Sequence, residues 1–157
     1  MYNLIIAICL FVICSGVGIK LSQKYVLRYD FFNSLLSFNK DFYSTVNFRR
    51  DSLTSALNKR YKNEQFNALL ISKAKQLKNG SNLNLPNYLN EVETNEIISY
   101  FDKLGKSDAA TQTRILLDYE NVFSQILSEC NKQKNQNGVL IKKAGIIIGL
   151  IAFVFAV

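Results

Sequence analysis

Acid–base and metal chemistry would have to start from side chains that this chain scarcely has. There is no histidine among its 157 residues, so the group that most often moves protons near neutral pH, and most often ligates metals, is missing. The three cysteines are Cys9, Cys14 and Cys130. No C-x-x-C spacing joins them, so neither a zinc set nor a disulfide framework is indicated. Each reads as a small apolar residue. The nearest carboxylate pairs, Glu93/Glu96 and Asp118/Glu120, are expected on solvated helix faces rather than as an acid–base couple. No phosphate-cradling glycine loop or nucleophile elbow occurs. The expectation is a protein without catalytic residues, metal ligands or cofactor, and not an enzyme.

What the sequence does sort is charge. All 19 basic and 12 acidic residues lie between Lys20 and Lys143, leaving the first nineteen and last fourteen residues uncharged. An ionic side chain at a bilayer centre costs about 2.5–3.5 kcal/mol. Residues 1–19 and 144–157 are therefore expected to be transmembrane helices flanking a water-exposed domain, 20–143. A span needs about 20 apolar residues, because the hydrocarbon is about 30 Å thick and a helix rises 1.5 Å per residue. Leu4–Ile19 come close, with Lys20 snorkelling to the head groups. The second span is short and must borrow Val139–Ile141, so thinning or partner helices are expected around it. Gly145 and Gly149, four apart, share a face suited to close helix packing, and Ser15, Gly16 and Gly18 offer a small-residue surface on the first span.

Orientation follows from the flanks. Lys20, Lys24 and Arg28 follow the first span, and Lys132, Lys134, Lys142 and Lys143 precede the second. Positive flanks stay cytoplasmic, so the middle is expected in the cytosol and both termini on the far side. The first segment lacks a positive n-region and an A-x-A site, and Ile13 rather than a small residue precedes Cys14. It is expected to be retained and unlipidated.

The middle contains only Pro86 and three glycines, Gly80, Gly105 and Gly138, which favours helices over strands. Phe31, Leu35, Phe38 and Phe42 recur at helical spacing, on a helix that no Gly or Pro interrupts from residue 19 to 46. After a break near 47–50, Asp51 or Ser52 is expected to cap a short helix with Leu53, Ala56, Leu57 and Tyr61 inward. Asn63 is expected to cap the next, with Phe66, Leu69, Leu70, Ala74 and Leu77 inward and Gly80 as its left-handed stop. Residues 81–92 read as a connection with one helical turn after Pro86. Ile97, Ile98, Phe101 and Leu104 follow as a stripe ended by Gly105. Ser107 or Asp108 then caps a long helix that buries Ile115, Leu116, Tyr119, Val122, Phe123, Ile126, Leu127 and Cys130. Gly138 is expected to bend it. The fold class is all-α, a helix bundle flanked by two transmembrane helices.

Within the middle, residues 49–78 hold eight basic and two acidic side chains, whereas residues 79–130 hold eight acidic and three basic. Either the two halves attract each other, or Arg49, Arg50, Lys59, Arg60 and Lys62 form a basic face for acidic lipid or a protein partner. No nucleic-acid motif joins them, so nucleic acid is not expected.

The segment Leu104-Gly105-Lys106-Ser107-Asp108-x-x-x-Gln112 resembles the LG-x-SD-x-x-x-Q stretch of the stage III sporulation protein AB family of endospore-forming bacteria. The uncharged first anchor, the Phe31–Arg60 helices and the terminal Lys-Lys-x-Gly-x-x-x-Gly-Leu anchor fit the same pattern over nearly the whole length. Where that family commonly has Glu-Ile-x-Tyr, this chain reads Lys40-Asp41-Phe42-Tyr43. The resemblance implies an antiparallel bundle like the cytosolic domain of type II secretion F platform proteins. It also implies a non-enzymatic membrane component of the channel between mother cell and forespore, placed in the mother-cell membrane around the forespore. Implied partners are other channel subunits, a secretion-type ATPase (stage III sporulation protein AA) at the cytosolic face, membrane lipid, and further copies of the chain. Gly105, Ser107, Asp108 and Gln112 are expected to act as a helix stop and cap first, and as a partner contact second. The alternative is a membrane-tethered regulatory or protein-binding module unrelated to sporulation.

Overall fold

A computed structural model of the chain describes residues 2–49, 52–80 and 82–156. It is all-α, with no strand among the described residues. The order is α1 (Tyr2–Ser44), a wide π-helical turn Thr45–Arg49, α2 (Leu53–Leu57), α3 (Glu64–Asn79), α4 (Glu91–Lys103), α5 (Ala109–Gln133), a second wide turn Lys134–Gly138, and α6 (Val139–Ala156). By packing, the chain divides into two units, Met1–Tyr29 with Glu129–Val157, and Asp30–Ser128.

In the unit Asp30–Ser128 each start of a helix carries its own donor trap. The Ser52 hydroxyl accepts from Ser55 N at 3.4 Å, and Asn63 Oδ1 accepts from Phe66 N at 2.9 Å. Asn90 and Glu93 form a reciprocal capping box, with Glu93 N donating to Asn90 Oδ1 at 2.8 Å and Asn90 N to Glu93 Oε2 at 3.0 Å. Such caps satisfy first-turn N–H groups that have no partner within the helix. Glu93 is accordingly buried, not on the solvated face expected for it. The polar connection after Gly80 contains a turn, Leu89 N to Pro86 O at 3.3 Å, and no helix before Glu91. Asn84 N, donating to Ser72 Oγ at 3.1 Å, ties it to α3.

The core of this unit is aromatic and centred on α1. Phe31, Phe32, Leu35, Phe38 and Phe42 are all buried, so the covered face is wider than the 31, 35, 38, 42 line alone. Phe31 and Phe38 meet Phe66 of α3 edge-on at 5.6 and 6.0 Å, and Phe38 meets Phe101 of α4 at 5.9 Å. Tyr100 is fully buried against Phe123 and Tyr119 of α5, at 5.0 Å from each. Edge-to-face pairs at such spacings add about 0.5–1.5 kcal/mol each beyond burial. On α4 the buried line is Ile97, Tyr100, Phe101 and Leu104; Ile98, expected inward, lies outside it. On α3 the buried face Phe66, Leu69, Leu70 ends at Lys73, and Leu77, one turn further, is 52 % exposed.

The other unit has the opposite character. Its two helices are long and apolar enough to cross a membrane, yet only 11 % of their most apolar stretches is buried. A core helix of a soluble domain would be mostly covered. Here Ile6, Val12, Val17, Ile147, Ile151 and Phe155 stand exposed, a surface suited to lipid.

Candidate functional site

The turn between α4 and α5 is built from the residues singled out in the sequence. Gly105 adopts φ +71°, the left-handed region that glycine enters without strain. A Cβ there would also lie 3.0 Å from Leu53 Cδ2, so the α2 side chain packs directly on the glycine. Asp108 is the cap: its carboxylate accepts from Thr111 N at 3.3 Å, and its carbonyl accepts from Gln112 N at 2.8 Å. The Thr111 hydroxyl and backbone N–H both hold the Asp108 carboxyl below its ordinary value of 3.8. Ser107, the other capping candidate, instead donates its hydroxyl to Gln112 Oε1 at 3.4 Å.

Gln112 closes the assembly. It is buried, and the same Oε1 accepts from Gly105 N at 2.9 Å. Gly105, Ser107, Asp108 and Gln112 thus form one hydrogen-bonded stop-and-start between two helices. Gln112 Nε2 lies buried without an acceptor among the described residues. The Ser107 hydroxyl of this turn is committed to Gln112, and no group of three His, Cys, Asp or Glu among the described residues could hold a metal. The arrangement can orient two helices and present a polar loop.

The basic residues part company. Lys59 Nζ lies 3.4 Å from Asp41 Oδ2, and the Tyr61 hydroxyl donates to the same oxygen at 2.9 Å. Asp41, within the Lys40-Asp41-Phe42-Tyr43 stretch, therefore gathers the segment after α2 onto α1. Arg60 and Lys62 are exposed. The Arg49 side chain and Arg50 lie outside the described residues. The basic and acidic halves meet at an ion pair of Lys73 Nζ with Asp102 Oδ1 at 3.5 Å, with the Lys73 side chain 5 % exposed. Lys73 was not among the sequence candidates; its place in the buried i, i+3, i+4, i+7 series of α3 was the available signal. Lys40 to Glu120, at 3.4 Å, adds an α1–α5 pair.

One polar cluster sits inside the aromatic core and a second at its edge, where Lys103 is exposed. Tyr100 OH donates to Asn39 Oδ1 at 3.0 Å, and Asn39 Nδ2 donates to Leu116 O at 2.9 Å. Tyr119 OH donates to Ser99 Oγ at 3.0 Å and receives Lys103 Nζ at 3.1 Å. Burial pushes the Tyr100 phenol well above 10.0, and the Tyr119 hydroxyl beside it raises Lys103. These are satisfied structural groups.

In the unit Met1–Tyr29/Glu129–Val157 the glycines mark where α1 and α6 touch. A Cβ on Gly145 would lie 2.8 Å from Gly18 Cα and 3.2 Å from Cys14 O. A Cβ on Gly149 would lie 3.0 Å from Phe11 Cδ2 and 3.1 Å from Phe11 O. The face shared by Gly145 and Gly149 is thus turned to the other helix of the same chain. Gly16 has nothing within 4 Å of a built Cβ and is not part of this contact. Gly138, in the wide turn, is buried against Ser22 and Tyr25.

The sequence model of the stage III sporulation protein AB family matches residues 3–156. No curated protein and no solved structure matches the chain. With the match spanning both apolar helices and everything between them, the chain belongs to that family, whose role is in sporulation.

Proposed function

We propose that this member of the stage III sporulation protein AB family is a non-enzymatic platform subunit of the channel complex between mother cell and forespore. Its two apolar helices would hold it in the mother-cell membrane, and the helical unit would stand in the cytosol, with both termini on the far side. There it would dock other channel subunits and a secretion-type ATPase.

The observation that supports this reading best is the division of labour between the units. One exposes apolar side chains and joins its helices glycine to glycine, as packing in lipid requires. The other spends its buried polar groups on caps and core hydrogen bonds. Its exposed charge near Arg60 and Lys62 suits an acidic partner surface, which steers encounter more than it sets affinity. The test is to purify the tagged chain from membranes of sporulating cells. The ATPase should co-purify, and Arg60→Glu with Lys62→Glu should lower its recovery while the membrane level of the chain holds. An unchanged spore yield in cells lacking the gene would end the proposal.

A further inference from the structure

Charge returns at Lys20 on α1 and at Lys143 on α6. Near that level the unit Met1–Tyr29/Glu129–Val157 holds a groove of about 400 Å³. Three lysines line it, Lys134, Lys142 and Lys143, together with the apolar Val26, Val139 and Ile146, and no carboxylate is among its lining residues. The wide turn Lys134–Gly138 contributes Lys134 from one side, and α6 contributes the other two lysines. Lys134 is held in place, its ammonium 3.5 Å from the centre of the Tyr29 ring.

We propose that this groove binds an anionic glycerophospholipid, taking the phosphate among Lys134, Lys142 and Lys143 and an acyl chain along Val26, Val139 and Ile146. The proposal rests on the reading that α1 and α6 lie in a membrane. Cationic pockets between spanning helices on the cytoplasmic side are the expected place for such head groups. A free phosphate would use the lysines and leave the apolar lining in water, and a zwitterionic lipid would bring a fourth positive charge beside three ammonium groups. Ile146 belongs to the uncharged end of the chain, so the apolar lining runs on into the segment suited to lipid.

The test uses the full chain in mild detergent, with bound lipid counted by native mass spectrometry during titration with phosphatidylglycerol or phosphatidylcholine. Phosphatidylglycerol should be preferred, and Lys134→Gln/Lys142→Gln/Lys143→Gln should weaken its binding about tenfold or more. Lys75→Gln/Lys78→Gln/Arg114→Gln, an equal loss of exposed charge elsewhere, should leave it within about twofold. Val26→Trp keeps every lysine but fills the groove, and should also weaken binding. Equal binding of the two lipids, equal loss in both triple variants, or full binding by Val26→Trp would each overturn the proposal, as would displacement of the lipid by millimolar inorganic phosphate. Alkaline carbonate extraction of the unaltered chain is a separate arm: release from membranes there would refute the membrane reading, not the groove.

Discussion

Asparagine does much of the local work in this chain. Asn63 and Asn90 cap helices, and Asn67 exchanges two 2.8 Å hydrogen bonds with the backbone of Tyr61. An amide carries both donor and acceptor, so it can stand in for a peptide group where the chain turns. Glycine does the complementary work at two positive-φ positions, and their surroundings separate them. Gly80→Ala meets only the left-handed penalty, about 1–2 kcal/mol, because nothing lies near its Cβ. Gly105→Ala meets the same penalty and the Leu53 side chain at 3.0 Å, so it should lower the thermal midpoint further. Equal losses would mean that Leu53 gives way freely. The tyrosines set the alkaline limit. Burial pushes Tyr88 up to about 12 and raises Tyr61 and Tyr100 above 10.0. A raised phenol stabilises the fold fully below its unfolded value and loses that contribution as pH rises through the folded one. Stability should therefore fall above pH 10, with these three of eight tyrosines late in an absorbance titration. Asp108, held low by Thr111, works in the other direction, its contribution fading as pH drops below 3.8.

At the scale of elements, helix ends were far more legible in the sequence than helix faces. Ser52, Asn63, Gly80, Gly105 and Asp108 each need only neighbours within a few residues, so local pattern sufficed. Tyr100 and Lys73 depend on what lies opposite: Phe123 and Asn39 for one, Asp102 for the other. Neither was named among the inward positions, although each lies on the buried arc of its helix. Glu93 was misplaced for a different reason: Asn90-x-x-Glu93 has the spacing of a capping box, a local signal that a reading of Glu93 as solvated passes over. Gln112, the last residue of the resembling motif, shows its use only once Gly105 N and Ser107 Oγ are seen converging on it. The α1–α6 contact permits a sharp comparison. Gly145→Leu must separate the helices, since even one carbon would sit 2.8 Å from Gly18 Cα, whereas Gly16→Leu points into open space. In detergent, thermal loss of helicity should come earlier for Gly145→Leu and be unchanged for Gly16→Leu. If both behave alike, the glycine contact does not hold the pair.

For the whole molecule, the decisive measurement is sidedness. A cysteine at exposed Asn58, with Cys9, Cys14 and Cys130 replaced, should resist impermeant thiol reagents in intact cells and react after lysis. Labelling before lysis would put the helical unit on the outer side. The central position of α1 in that unit has a further consequence, for the order of events during synthesis. Asn39 must wait for the carbonyl of Leu116, 77 residues later, before its hydrogen bond can close. At about 5–20 residues per second, that is an interval of about 4–15 s. Through it the stretch of α1 that carries Phe31, Phe32, Phe38 and Phe42 lacks the α5 helix to which Asn39 and Lys40 bond. The nascent chain therefore passes through a state rich in uncovered aromatic rings, and its yield in cells should depend on chaperones that shield such surfaces while translation finishes.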